Sequence, residues 1–307
     1  MSITVVGSIA FDAVKTPFGE REKMLGGAAT HFALAASFFD EVRVVGPVGD
    51  DFGDAELDVL RGRGVLCDDI ERVAGGRTFF WRGEYGWDLN TRETLDTQLN
   101  VFERFEPKLS AASRESEVLF LANIQPDLQL QVREQCKGAR FAALDSMNLW
   151  IEIARDSLLR AIDGVDCLIL NDAELRQLTG KPNLLSAARE VIGRGGPRVI
   201  VAKLGEYGAA LIGADNYFAL PAFPLESVVD PTGAGDTFAG GFVGYIAANS
   251  SAGAPADDEV LRRAMAHGTA LASFNVEEFG TERVVRLSGD EIASRVADLE
   301  RITRFSA

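Results

Sequence analysis

Cysteine and histidine are scarce in this 307-residue chain, with three of the first and two of the second. Cys67, Cys136 and Cys167 stand far apart with no C-x-x-C pair, and His31 and His267 do not complete a ligand set. A disulfide framework and a structural zinc site are therefore excluded as organising features, and reduced core thiols are expected instead. No apolar run approaches the ~20 residues that a membrane-spanning helix needs. The opening stretch, Met1-Ser2-Ile3-Thr4-Val5-Val6-Gly7, lacks basic residues and breaks at a glycine. It reads as no signal peptide, so a cytoplasmic location is expected. No run of lysine and arginine offsets the formal charge of −15, which argues against nucleic acid as a partner. Internal repeats and low-complexity stretches are absent, as are a Walker A motif and a strict G-x-G-x-x-G after a strand.

What the chain does have is a regular alternation. Six short apolar runs read as buried parallel strands: Ile3–Val6, Val42–Val45, Val118–Ala122, Phe141–Leu144, Cys167–Leu170 and Val199–Ala202. Each ends in a glycine or a polar residue, in order Gly7, Gly46, Asn123, Asp145, Asn171 and Lys203. Helical patterns such as Ala28–Phe39, Ala154–Ile162 and Leu184–Arg194 separate most of them. The expected fold is α/β, a central mostly parallel sheet with helices on both faces. Ligands in such sheets bind beyond the carboxyl ends of the strands. Residues 13–26 and 76–102 break the alternation, and Thr78–Tyr85 alternates as a strand does. They are expected to form a small β lid over a core made of 1–12, 27–75 and 103–307. From Val228 onward the pattern is helical, with a short strand at Val284–Leu287.

The chemistry concentrates in Val229-Asp230-Pro231-Thr232-Gly233-Ala234-Gly235-Asp236-Thr237-Phe238. Gly233 and Gly235 permit a turn whose N–H groups point inward, and the run from Thr237 to Ala248 reads as a helix. A glycine turn opening a helix is an anion site, because unpaired amides and the helix dipole face one point. Asp236 would repel that anion, so it makes sense there as a general base beside a transferring phosphoryl group. The plainer alternative is an N-cap aspartate.

This segment resembles the C-terminal signature of the ribokinase-like (PfkB-type) carbohydrate kinases. Gly7-Ser8-Ile9-Ala10-Phe11-Asp12 is similar to that family's first strand and substrate-binding aspartate. Gly26-Gly27 resembles its paired glycines, and Gly46-Pro47-Val48-Gly49-Asp50-Asp51-Phe52-Gly53 its second-strand turn. Asn171-Asp172-Ala173-Glu174 matches its N-x-x-E element, and Lys203-Leu204-Gly205-Glu206-Tyr207-Gly208 its nucleotide-side strand and turn. These five further matches, in order with the signature, are far more specific than any one of them.

The resemblance implies ATP-dependent phosphoryl transfer to a hydroxyl of a small sugar or sugar derivative. Asp236 would be the catalytic base and Gly233, Ala234 and Gly235 the anion hole. Asp12, Gly26 and Gly27 would bind substrate, and Asn171, Lys203, Gly205 and Gly208 the nucleotide. Glu174 and Asn171 would organise Mg²⁺, partly through water, and Asp230 is the candidate for a monovalent cation. His31 departs from the pattern, since many members carry a sugar-binding asparagine at its spacing. It is taken as a substrate-side residue, with a satisfied core histidine as the rival reading. A nucleoside of the adenosine type is the alternative substrate, and Phe79, Phe80 and Trp81 are candidates to stack its base. A non-catalytic nucleotide-binding sensor ranks below both. The exposed edges of the lid offer a homodimer contact.

Overall fold

Each of the six apolar runs lies in a strand of one nine-stranded sheet, except that Ala122 follows the end of its strand. The computed structural model describes residues 1–250 and 256–304. The strands of this sheet and of a second, smaller one are β1 (Ser2–Val6), β2 (Ala10–Thr16), β3 (Gly19–Gly26), β4 (Glu41–Val48), β5 (Leu66–Arg72), β6 (Phe79–Tyr85), β7 (Arg92–Gln98), β8 (Val118–Leu121), β9 (Phe141–Asp145), β10 (Cys167–Asn171), β11 (Val199–Lys203), β12 (Ala209–Ile212) and β13 (Tyr217–Leu220). The large sheet has the order β13-β12-β11-β10-β9-β8-β1-β4-β5. From β11 through β5 every neighbouring pair is parallel, and β12 and β13 close one edge as an antiparallel hairpin.

The strands are continuous apolar runs because both faces are covered. In β8, Val118 and Phe120 enter one core cluster, whereas Leu119 and Leu121 enter the other. The first face is filled by the Ala28–Ala36 helix, every residue of which is buried, and by the helix Ala234–Asn249. These two helices cross closely. A Cβ on Gly240 would stand 2.3 Å from the Phe32 carbonyl oxygen, so only glycine allows the approach. That crossing brings the start of the second helix beside the Gly27–His31 segment.

The small sheet has the order β3-β2-β6-β7, with β2 and β6 parallel. Asp12 therefore belongs to the small sheet and pairs in register with Trp81 of β6 and Met24 of β3. Its aromatic side chains are largely engaged with neighbours: Phe79 packs on Phe102, Arg82 lies over Phe80, and Arg92 lies over Trp81.

One expected strand is a helix. Val284 and Val285 lie in the helix Glu282–Arg286, preceded by Gly280 with φ 57°. Among the described residues this segment pairs with no strand, and Arg283 and Arg286 instead pair with Glu277, Glu278 and Glu291. The three cysteines are free, with Cys136 and Cys167 buried. Among the described residues, no helix is long and apolar enough to cross a membrane.

Candidate active site

The strand-end residues of β9, β10 and β11 converge. Lys203 Nζ donates to Asp145 Oδ2 at 2.9 Å, across the intervening strand β10. Asn171 and Glu174 form a reciprocal capping box at the start of the helix Asp172–Thr179: the Glu174 amide donates to Asn171 Oδ1 at 2.7 Å, and the Asn171 amide to Glu174 Oε2 at 2.9 Å. Each side chain thus spends one oxygen on the helix end. Burial, with Asp145 nearby, pushes the Glu174 carboxyl up to about 7 against the pull of Lys203. Burial tends to lower Lys203, but Asp145, Glu174 and Asp236 outweigh it and hold the ammonium above its ordinary range. The lysine is therefore a fixed charge in a carboxylate cluster and not a strand-end side chain reaching solvent.

The glycine turn meets this cluster. The helix begins at Ala234, with Gly233 as its N-cap at φ 73°, three residues before the expected start. Asp236 is consequently the third helical residue and not the N-cap. The Ala234 amide donates to the Pro231 carbonyl at 3.2 Å, which turns it away from an anion. Gly235 and Asp236 have no carbonyl one turn back inside the helix, so their amides are the open ones. A Cβ on Gly235 would stand 3.0 Å from Lys203 Nζ, so the ammonium lies against the turn. The Asp236 carboxyl is pushed up to about 7 by burial and by Asp145, opposed by Lys203 and by Arg92 of β7.

Asp12 is buried and also raised to about 7, by burial, Asp230 and Asp236, with a backbone hydrogen bond from Gly27 working the other way. A Cβ on Gly26 would meet Asp12 Oδ2 at 2.0 Å, so that glycine makes room for the carboxylate. Gly27 caps the Ala28–Ala36 helix. His31 is 2 % exposed and its Nε2 has no protein partner. Burial pushes the imidazole down to about 4, opposed by Asn275, so it is neutral at physiological pH. Its ring faces Gly233, where an added Cβ would fall 2.4 Å from three ring atoms. Gly205 and Gly208 bracket the 3-10 turn Gly205–Tyr207 after β11, and the hairpin between β6 and β7 reaches that turn through Asn90 Nδ2 to Glu206 Oε1, 3.0 Å.

Asp230 is completely buried, its Oδ1 accepting from the Thr232 amide and its Oδ2 from the Gly280 amide, each at 2.9 Å. That carboxylate ties two loops together directly.

A match to the family model for pfkB family carbohydrate kinases runs over residues 2–286. The chain belongs to the pfkB family. Cytidine kinase of Thermococcus kodakarensis is 30% identical over 253 residues, covering 80% of this chain and 88% of that one. Ribokinase of Lactococcus lactis is 29% identical over 264 residues, 81% and 85% of the two chains. Among solved structures, adenosine kinase from Sinorhizobium meliloti superposes with a TM-score of 0.80 at 19% identity, over 96% of this chain and 99% of that one. This pfkB-family chain is therefore a kinase, a phosphotransferase, with the ribokinase-like fold.

Four residues of the site escape motif reading. Asp145 carries a signal, since it is a carboxylate at a strand end in line with Asn171 and Lys203. Arg92, Tyr85 and Asn275 carry none, because packing from distant parts of the chain brings them to the turn. Tyr85 of β6 accepts the Thr232 hydroxyl at 3.2 Å.

Proposed function

We propose that this chain transfers the γ-phosphoryl group of ATP to a hydroxyl of a sugar ring, with Asp236 as general base. One observation carries the reading: a carboxylate tuned to about 7 stands beside two open helix-end amides, with Lys203 against the same turn. A base near neutrality can take the proton of an attacking alcohol at physiological pH. The Gly235 and Asp236 amides, the Lys203 ammonium and the Arg92 guanidinium supply fixed positive potential where charge develops on the phosphoryl oxygens. Asp12 accepts hydrogen bonds from acceptor hydroxyls on the opposite side. The free Nε2 of His31 is a further buried polar atom awaiting a partner.

Mg²⁺ fits the charge of this site. Burial and the Asp145 charge raise the carboxyls of Glu174 and Asp236, and Glu174 raises Asp236 further, as clustered carboxylates do. Among the described residues no three acidic, histidine or cysteine side chains form a cage for a metal on their own. Glu174, Asn171 and Asp145 would hold the ion jointly with phosphate and water. Bound there, it would neutralise phosphate charge. The small sheet acts as a lid, excluding water from the crevice.

The ring that bears the hydroxyl is free in one reading and part of a nucleoside in the other. The nucleoside reading is favoured by the 30% identity to a cytidine kinase over 88% of its length; ribokinase, at 29%, favours the free sugar. ADP release measured with cytidine, adenosine, ribose and fructose, each with ATP and Mg²⁺, decides between them. Turnover confined to nucleosides supports the first, and turnover confined to free sugars supports the second. ATP binding without ADP release on any alcohol would overturn the kinase proposal in favour of a sensor.

A further inference from the structure

Beneath the glycine turn lies a buried amide side chain. Asn275 is the last residue of the helix Asp258–Asn275 and is 0% exposed. Its Nδ2 donates to the Thr232 carbonyl at 2.8 Å, and its Oδ1 accepts from Thr237 Oγ1 at 3.0 Å. Thr232 and Thr237 flank the whole reacting segment, Gly233 to Asp236. One side chain therefore bridges both ends of the turn, from a helix some forty residues further along the chain.

The other contacts of the turn make that bridge consequential. The Thr232 amide is fixed by Asp230 and its hydroxyl by Tyr85; its carbonyl depends on Asn275. On the far side, His31 fills the space against Gly233, and Asn275 also meets that imidazole. Gly233 has no side chain of its own to hold it, and its positive φ is one that many backbones escape when released. A neutral amide is suited to this task. It supplies one donor and one acceptor without adding charge below a site already crowded with carboxylates. A buried group of this kind, satisfied at both ends, fixes one arrangement of the backbone it joins.

We propose that Asn275 is the positioning residue of the phosphoryl-transfer turn: by holding the Thr232 carbonyl and the Thr237 hydroxyl together, it sets the direction of the Gly235 and Asp236 amides and of the Asp236 carboxylate. The proposal rests on the phosphoryl-transfer reading of the site. It acts on the reaction through the turn alone, so its loss lowers kcat while ground-state binding of ATP and alcohol persists.

Two variants test it. Asn275→Ala removes the bridge, and Thr237→Val removes one of its bonds at nearly constant volume, with Thr237→Ser restoring the hydroxyl. A small displacement of catalytic groups costs up to about 100-fold, so both variants should lose roughly 10- to 100-fold in kcat with little change in either KM. Thr237→Ser should recover most of the rate. Amide hydrogen exchange of peptides spanning Asp230 to Thr237 should accelerate in Asn275→Ala and Thr237→Val and not in Thr237→Ser. If Asn275→Ala does not fold, Thr237→Val decides. A folded Thr237→Val with wild-type kcat overturns the proposal, as does a fall in melting temperature with unchanged kcat per folded molecule. Should the wild-type protein transfer no phosphoryl group to any alcohol, the kinase reading fails by itself. The exchange measurement then judges the bridge alone, and unchanged exchange over the turn rejects it.

Discussion

Two aspartates of the same chemistry feel each other's charge, and their surroundings give them different work. Asp236 lies against open amides and Lys203, whereas Asp12 lies on the small sheet over Gly26. Asp236→Asn keeps the shape and loses the proton acceptor, so kcat should fall about 10²–10⁴-fold. Asp12→Asn keeps one acceptor oxygen, turns the other position into a donor and loses the charge, so its effect should appear mainly as a raised KM for the alcohol. Steady-state kinetics on one good substrate separate the two; near-normal kcat in Asp236→Asn would remove it as the base. With its carboxyl pushed up to about 7, Asp236 must lose a proton to act. The value of kcat/KM should therefore fall as pH drops through about 7, with one proton taken up. A profile flat down to about pH 5 would assign the acid limb elsewhere. His31, held down to about 4, stays neutral throughout this range and contributes nothing to the limb.

At the level of elements, the sequence announces what burial and spacing alone determine. Strands such as β1 and β8 are readable because coverage on both faces demands unbroken apolar runs. The turn at Gly233 is readable because few residue types tolerate its geometry. By contrast β12 and β13 are four residues each, too short for a period to register, and Val284-Val285 looks like a strand until one asks which edge would pair with it. The Asn171–Glu174 pair is readable as N-x-x-E, yet the spacing does not reveal that both side chains cap their own helix. Least readable is the small sheet's reach toward the turn, through the Tyr85 hydroxyl of β6 on Thr232 and the charge of Arg92 of β7. Arg92 pulls the Asp236 carboxyl down, so Arg92→Gln should move the acid limb of kcat/KM to higher pH. The same change removes positive charge from the phosphoryl site, so kcat at its plateau should also drop, by about tenfold or more. An unshifted limb in Arg92→Gln would mean that the guanidinium acts elsewhere when substrate is bound.

Over the whole molecule, this arrangement carries a cost in stability that pH should reveal. Asp12, Glu174 and Asp236 all sit near 7 in the folded chain, and Asp230 is raised as well. In the unfolded chain such carboxyls titrate near 4. Between those values the folded state binds more protons than the unfolded one, so stability falls as pH rises from about 4 through about 7. The slope contributed by each group is at most about 1.4 kcal/mol per pH unit. Glu291 works in the opposite sense, because Arg283 and the Ser288 amide hold it at about 2; its contribution is lost as pH falls through the acid range. The ligand-free protein should therefore be most stable in mildly acidic solution and melt progressively lower toward pH 8. Self-repulsion from the charge of −15 acts in the same direction, so the wild-type curve alone does not apportion the effect. Asp236→Asn and Glu174→Gln do, since each removes one linked proton while changing net charge by a single unit. Melting temperatures measured from about pH 5 to 8 should fall less steeply in both variants than in the wild type, with the curves meeting at the acid end. Addition of ATP with Mg²⁺ should raise the wild-type melting temperature most at the alkaline end, where the carboxylates are ionised and a cation has most to neutralise. Parallel melting curves for wild type and both variants would show that these carboxyls titrate normally in the folded chain, and would remove the physical ground for a base tuned to neutrality.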